Sequence, residues 1–167
     1  PIETTLESFR IAKSAHVRTI LNPAPAASLP DELLALSDIC VPNETEAELL
    51  TGLSVQTLNE AELAARQLLA RGVGIVILTL GDRGALIVDK NSAEHLPAVR
   101  VDAVDPTGAG DAFIGSLAVF LGEGQIVRDA VRLANAIAAL SVTRIGTQIS
   151  FPKRTDAAIQ SLLRDSV

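Results

Sequence analysis

The strongest chemical pattern in the sequence is the stretch 104–113, which reads Val-Asp-Pro-Thr-Gly-Ala-Gly-Asp-Ala-Phe. Gly108 and Gly110 have no side chain that would block a ligand, and an apolar helix is expected to begin there. The first N–H groups of a helix lack partners within it and lie at the positive end of its dipole, so they can bind an anion. The stretch is not a dinucleotide fingerprint, because Phe113 takes the third glycine position, and Ser116 follows Gly115 without the Lys of a Walker A loop.

Asp111 places a carboxylate in the first turn of this helix, beside the predicted anion site. A bound phosphate would repel that carboxylate unless it took part in the reaction. The role that fits is a general base, which removes a proton from a hydroxyl group that attacks a phosphoryl group. Alternatively, Asp111 only stabilises the positive end of the helix dipole, and spacing alone leaves both interpretations open.

A second stretch, Pro-Asn-Glu-Thr-Glu at 42–46, marks another predicted helix start. Asn43 and Glu46 have the spacing of a capping box, in which each side chain bonds the backbone of the other. A functional interpretation places Glu46 near the Mg²⁺ of a nucleotide, through a water molecule, since Mg²⁺ keeps much of its hydration in proteins. Both interpretations can hold at once.

The third candidate is a loop that follows the apolar run 73–80, which is typical of a central strand buried on both faces. Open α/β sheets bind ligands at the carboxyl ends of their strands, so this loop is a candidate nucleotide contact. An ordinary turn would have the same composition. The loop consists of Thr79, Leu80, Gly81, Asp82, Arg83 and Gly84.

Composition excludes several classes of protein. The 167 residues carry 14 Lys and Arg against 20 Asp and Glu, and a net charge of −6 offers no basic face for nucleic acid. No apolar run approaches the roughly 20 residues that cross a bilayer, so we expect no membrane partner and a cytoplasmic protein. Cys40 has no second cysteine to pair with and is predicted to be a buried small hydrophobe. His16 and His95 lack metal-ligand spacing and are predicted at the surface, which argues against zinc and Ser-His-Asp chemistry.

Apolar runs alternate with helical patterns along the chain, which predicts an α/β fold of one domain with a mostly parallel central sheet and flanking helices. The two late helices are expected to be buried on most sides. The last helix should turn Ala158, Ile159, Leu162 and Leu163 inward. Predicted helices are 3–15, 32–36, 43–51, 59–70, 109–121, 126–143 and one from Thr155, and predicted strands are 17–21, 38–41, 73–80, 85–88 and 93–96.

Together with 21–26, Leu-Asn-Pro-Ala-Pro-Ala, these stretches resemble the ribokinase-like family of carbohydrate kinases over essentially the whole chain. The segment 105–113 is similar to the C-terminal signature of that family, and 42–52 is similar to its Asn-x-x-Glu region. The resemblance implies a three-layer α/β fold. It also implies that residues 1–167 are the C-terminal nucleotide-binding and catalytic-base part of a single domain.

The resemblance also implies roles for individual residues, with ATP and Mg²⁺ as cofactors. Asp111 would activate the primary hydroxyl group of a sugar, and the N–H groups of Gly108, Ala109, Gly110 and Asp111 would form the anion hole. Asn43 and Glu46 would lie near the phosphates and Mg²⁺, and residues 79–84 would contact the nucleotide. Asn135 would lie beside the adenine, although a satisfied amide within an apolar helix is the alternative.

A monovalent cation such as K⁺ is a further implication of the resemblance. It would lie beside the anion hole, where it would fix the loop and offset negative charge. Its ligands would be the Asp105 side chain, Ser150, and backbone oxygens of Thr107, Ser141, Arg144 and Gly146.

The implied reaction is the ATP-dependent phosphorylation of D-ribose to D-ribose 5-phosphate. In this family the sugar pocket and a strand lid come from an N-terminal half that would precede Pro1. The lid is also the homodimer surface, which is therefore expected to be absent here. Pro106 replaces a more usual Thr and weakens the choice of ribose. Fructose, deoxyribose or a keto-deoxy acid, a non-catalytic nucleotide-binding module, and glycines that only shape a turn remain alternatives.

Overall fold

The computed structural model describes the backbone of residues 1–164 and the side chains of residues 1–161. These residues divide into two compact units. The first unit contains Pro1–Gly81 and Ala85–His95. The second contains Asp82–Gly84 and the chain from Leu96 onward. The predicted site residues are distributed over both units, so each unit is considered by itself.

The order of elements follows the predicted alternation of helices and strands. The first unit contains α1 (Ile2–Ser14), β1 (Ile20–Leu21), α2 (Asp31–Ala35), β2 (Ile39–Cys40), α3 (Glu44–Thr51), α4 (Leu58–Ala70), β3 (Ile75–Thr79) and β4 (Ala85–Val88). β5 (Ala93–Leu96) ends at the boundary. The second unit contains α5 (Ala109–Gly122), α6 (Val127–Ser141) and α7 (Ala157–Arg164), with short 3-10 turns at Gly81–Arg83 and Gln148–Ser150. β1 is shorter than the predicted strand 17–21, and α7 begins two residues after Thr155.

The strands form a mixed sheet in the order β1-β2-β3-β4-β5. β1, β2 and β3 are parallel, with Ile39 opposite Ile75, and β4 runs antiparallel to β3, with Ile77 opposite Ile87. β3 is the middle strand, and its residues Val76, Ile77 and Leu78 are fully buried. The predicted central strand and the edge position of β5 are therefore confirmed.

Helix α4 covers the sheet of the first unit with a narrow apolar face. Thr57 and Glu60 form a capping box at its start. The buried residues Ala61, Ala64, Ala65 and Leu68 recur at the spacing of one helix face, which packs against β3 and β4. Alanines at three of these four positions let the helix backbone approach the strands closely.

Asp38 joins three elements of the first unit through its carboxylate. Lys13 Nζ at the end of α1 donates to Asp38 Oδ1 at 2.5 Å, and the Thr19 N–H before β1 donates to Oδ2 at 2.9 Å. Partial burial raises the pKa of Asp38, but the hydrogen bonds from Lys13 and Thr19 outweigh it. The pKa of Asp38 is therefore held below its usual value of 3.8.

We expect Asp38→Asn to lower the free energy of unfolding near neutral pH by about 1 kcal/mol, because it removes a charge-assisted hydrogen bond from a half-exposed pair. A folded-state pKa below the unfolded one gives stability that is present above the unfolded pKa. That stability is lost as the pH falls through the folded pKa. Urea unfolding of the wild-type and variant chains should therefore show a difference that shrinks below about pH 4. A difference that stays constant into acid would contradict this origin.

Helices α5 and α6 pack against each other in the second unit. α6 is largely buried or half-buried, as predicted. For α5 the prediction is wrong, because Gly115, Ala118, Val119 and Gly122 are exposed along one side. Three of these residues are small and contribute little apolar surface, so an apolar composition did not mean a buried face.

At the C-terminal helix α7, Ile159 is buried as predicted, whereas Ala158 is exposed. Consecutive helical residues point about 100° apart, so a narrow inner face holds only one of the two. The predicted inner residues Leu162 and Leu163 lie outside the described side chains. Within residues 1–164, no helix is both long enough and apolar enough to span a bilayer.

The lone cysteine and both histidines lie where the sequence predicts them. Cys40 is fully buried, and burial raises the pKa of its thiol to about 12, which leaves it protonated and unreactive. His16 and His95 are exposed.

Candidate active site

The start of α5 presents backbone N–H groups rather than a capping side chain. Gly108 is the N-cap residue, with a left-handed φ of 84° and no side chain to bond the first turn. The Ala109 N–H donates to the Pro106 carbonyl at 3.2 Å. Within the described part of the chain, no acceptor bonds the N–H groups of Gly110 and Asp111. These donors can bind an anion.

Asp111 is exposed in the first turn of α5 and lies at the edge of a cavity of about 260 Å³. The cavity is mostly apolar, and its other polar side chains are Ser116 and Arg154. A carboxylate at the start of the helix is next to the N–H groups that would hold a phosphoryl group. This arrangement suits proton removal from a hydroxyl group that approaches the same position.

Asp105 fixes the loop that leads into α5. Its Oδ1 accepts from the Thr107 N–H at 3.0 Å, and its Oδ2 accepts from the Gly146 N–H at 2.9 Å. Hydrogen bonds from the Thr107 side chain, and then from the Gly146 and Thr107 N–H groups, lower the pKa of Asp105 below its usual value. An ionised carboxylate thus joins the loop before α5 to the loop after α6.

The structure brings some of the predicted cation ligands together directly, namely Asp105, Thr107 and Gly146. The buried hydroxyl groups of Ser141 and Ser150 donate to carbonyl oxygens of their own turns, at 2.8 Å and 2.6 Å. Arg144 is exposed, and its guanidinium lies 3.9 Å from Asp156. Carboxylate and carbonyl oxygens are suitable ligands for a hard cation, so the donor set fits K⁺.

In the first unit, Asn43 and Glu46 form the predicted capping box. Asn43 Oδ1 accepts from the Glu46 N–H at 2.8 Å, and Glu46 Oε2 accepts from the Asn43 N–H at 2.8 Å. Glu46 is only 6% exposed. Asn43 also forms a parallel bridge with Thr79, whose N–H donates to the Pro42 carbonyl at 2.9 Å. The start of α3 therefore lies at the carboxyl end of β3, as an α/β ligand site requires.

The loop after β3 makes a 3-10 turn at Gly81–Arg83. The Leu80 side chain is buried, so only its backbone can contact a ligand. Gly84 has a φ of 97°, and a Cβ atom there would lie 2.1 Å from the Leu96 carbonyl oxygen. Only glycine fits this position.

Asn135 lies half-buried on α6. Its Nδ2 reaches the Leu96 carbonyl oxygen at 3.5 Å, the outer limit of a hydrogen bond. The contact is too weak to account for the side chain, so a ligand contact remains a prediction.

Sequence reasoning missed one residue at this site. The ring of Phe151 lies against Gly108, where a Cβ atom would be 3.3 Å from Phe151 Cε1. No spacing pattern connects these two distant positions, and only their packing reveals the contact.

Comparisons with known proteins agree with this site. Residues 1–154 match the family model described as pfkB family carbohydrate kinase. A ribokinase of Staphylococcus aureus is 44% identical over 153 residues, which cover 91% of this chain and 50% of that protein. A deoxyribokinase of Salmonella typhi is 43% identical over 152 residues, covering 90% and 50%. The chain thus spans about half the length of the curated relatives it matches.

Among solved structures, Arabidopsis thaliana ribokinase complexed with ribose and ATP aligns with a TM-score of 0.92 at 31% identity, covering 98% of this chain and 53% of that one. The α/β architecture is therefore the ribokinase fold, over the part of it that this chain spans. One family model matches nearly the whole chain, so the chain belongs to the pfkB family of ribokinase-like carbohydrate kinases.

Proposed function

We propose that this chain supplies the ATP site and the catalytic base of a kinase that phosphorylates D-ribose at its 5-hydroxyl group. The observation that carries the proposal is the Asp111 carboxylate in the first turn of α5, beside N–H groups without acceptors. Membership of a carbohydrate kinase family supports the reaction class. The ribokinase of Staphylococcus aureus and the ribose and ATP in the Arabidopsis complex support these substrates.

In the proposed step, Asp111 accepts the proton of the sugar hydroxyl group as its oxygen bonds the γ-phosphorus of ATP. The bond from that phosphorus to the β,γ-bridging oxygen breaks, which gives ADP and D-ribose 5-phosphate. Negative charge on the transferring phosphoryl group is stabilised by the N–H groups at the start of α5, including those of Gly110 and Asp111. The remaining anion-hole assignments, Gly108 and Ala109, contribute their backbone to the shape of this loop.

Nucleotide contacts are assigned to both units. Asn43, Glu46 and the loop 79–84 would line the phosphates and the nucleoside, and Asn135 would lie beside the adenine. Mg²⁺ would neutralise phosphate charge, and Glu46 would hold it through water. K⁺ would be held by Asp105, Ser150 and backbone oxygens of Thr107, Ser141, Arg144 and Gly146, where it would fix the loop shape.

Glu46 can be tested apart from its role as a helix cap. Gln keeps the side chain that completes a capping box, whereas Ala removes it. We expect Glu46→Gln to retain the wild-type free energy of unfolding within about 0.5 kcal/mol, and Glu46→Ala to lose about 1 kcal/mol. Both variants should need more Mg²⁺ for half-maximal ATP binding, because both remove the charge. Unchanged Mg²⁺ dependence in the Gln variant would leave Glu46 as a cap alone.

The proposed function is tested first by calorimetric titration of this chain with ATP in the presence of Mg²⁺ and K⁺. Turnover is then measured on the chain joined to the half of the Staphylococcus aureus relative that it does not match. We expect ATP binding by the chain and ribose-dependent ADP release by the fusion. Absence of ATP binding would contradict the proposal.

2-Deoxy-D-ribose is the second candidate substrate. The deoxyribokinase of Salmonella typhi is 43% identical to this chain, against 44% for the ribokinase, so similarity does not separate the two sugars. A comparison of kcat/KM for ribose and 2-deoxyribose, made on a protein in which this chain is joined to its own natural sugar pocket, decides between them.

A further inference from the structure

The loop that leads into α5 is supported by a segment that follows α6, here called the backing segment (residues 142–151). The Val142 carbonyl oxygen accepts from the N–H groups of both Val104 and Asp105, at 2.7 Å and 3.0 Å. The Gly146 N–H donates to the Asp105 carboxylate. The backing segment therefore holds the loop 104–108 at its beginning through backbone groups.

Phe151 extends this support to the residue where α5 begins. At Gly108, a Cβ atom would meet Phe151 Cε1 at 3.3 Å, Phe151 Cζ at 3.5 Å and the Thr147 Cα atom at 3.6 Å. An N-cap side chain ordinarily bonds the first turn and fixes the direction in which the chain enters a helix. Gly108 has no such side chain. The entry into α5 must therefore be fixed by packing, and the Phe151 ring is the group in contact.

The ring is itself held by interactions that do not involve the start of α5. Ser150 Oγ donates to the Thr147 carbonyl oxygen at 2.6 Å and closes the 3-10 turn before Phe151. Arg154 forms an ion pair with Glu123, at the opposite end of α5. Phe151 is thus attached to a segment with its own anchor, as a support requires.

We propose that Phe151 is a positioning residue of the anion site. Its ring keeps Gly108 in the left-handed conformation, so that the N–H groups of Gly110 and Asp111 point together at the transferring phosphoryl group. The inference rests on the proposed function, because it assigns those N–H groups to the γ-phosphoryl group of ATP. Small displacements of positioned groups are enough to lower catalysis substantially.

Phe151→Leu and Phe120→Leu form a matched pair for the test. Both side chains line the same cavity, but Phe120 lies in the last turns of α5, far from Gly108. Calorimetric titration of each chain with ATP and with ADP isolates the γ-phosphoryl contact, since ADP lacks that group. Hydrogen exchange of residues 107–111, followed by mass spectrometry, reports on the loop without any ligand.

We expect Phe151→Leu to lower the preference for ATP over ADP by about tenfold and to speed exchange in 107–111. Phe120→Leu should leave both at the wild-type level, even where it lowers thermal stability. A chain that binds ATP but keeps its ATP preference and its exchange rates in Phe151→Leu would overturn the inference alone. A wild-type chain that binds no ATP would overturn the proposed function, and unchanged exchange in Phe151→Leu would then overturn the positioning role separately.

Discussion

Replacing Asp111 with Asn is expected to lower sugar-dependent ADP formation by at least about 100-fold and to change ATP affinity by less than about threefold. Asn has nearly the same shape and leaves the backbone N–H groups of α5 in place, but it cannot accept the proton of the attacking hydroxyl group. Turnover should be measured on the fusion with the complementary half of the Staphylococcus aureus relative. ATP affinity is measured on the chain itself.

Asp129→Asn is the matched control for this substitution. Asp129 also lies in the first turn of a helix, α6, and so has the same favourable interaction with a helix dipole. The control should therefore reproduce any effect of Asp111→Asn that comes from the dipole, and it should retain turnover. Equal turnover in both variants would rule out Asp111 as the base and would leave it as a helix-terminal carboxylate.

Replacing Gly84 with Ala is expected to lower the free energy of unfolding by about 3 kcal/mol or more. The new Cβ atom would lie 2.1 Å from the Leu96 carbonyl oxygen and 2.6 Å from the Ala98 nitrogen. These are backbone atoms that cannot move aside without breaking the loop, and a φ of 97° adds strain for any residue with a Cβ atom. Urea unfolding measures the loss. ATP affinity should fall by roughly tenfold, because the loop 81–84 is displaced.

Gly122→Ala provides the opposite result as a control. A Cβ atom at Gly122 meets nothing within 4 Å, and the residue lies at the helical end of α5 without a positive φ. Ala is a better helix former than Gly, so stability should rise by up to about 1 kcal/mol and ATP affinity should not change. Similar behaviour of the two alanine variants would contradict the close approach at Gly84.

Features that depend on neighbouring residues were predictable from the sequence. The capping box of Asn43 and Glu46 forms as predicted, and Gly52 ends α3 in the left-handed conformation. The strands Ala85–Val88 and Ala93–Leu96 have the predicted limits. In each case the interacting groups lie within a few residues of one another, so their types and spacing are enough to specify the local structure.

The position of the candidate anion site was equally readable, because Gly108, Gly110 and Asp111 lie within one turn of the helix that they begin. The roles given to these residues, and to the predicted nucleotide and cation ligands, stay predictions until the variants are measured. The family itself was carried by short stretches of sequence, and the match over residues 1–154 confirmed it.

The sequence by itself determined the helices, their caps, the order of elements, the glycine-rich start of α5 and the family. Only the tertiary structure decided that β1 is two residues long, that one side of α5 is exposed, and that Ala158 faces outward. It alone joined Asp105 to Gly146 and Gly108 to Phe151. Such contacts link residues far apart along the chain, where no periodicity or spacing records the pairing. Which surfaces meet is decided by the packing of whole elements, and the support of the anion site is therefore a property of the fold.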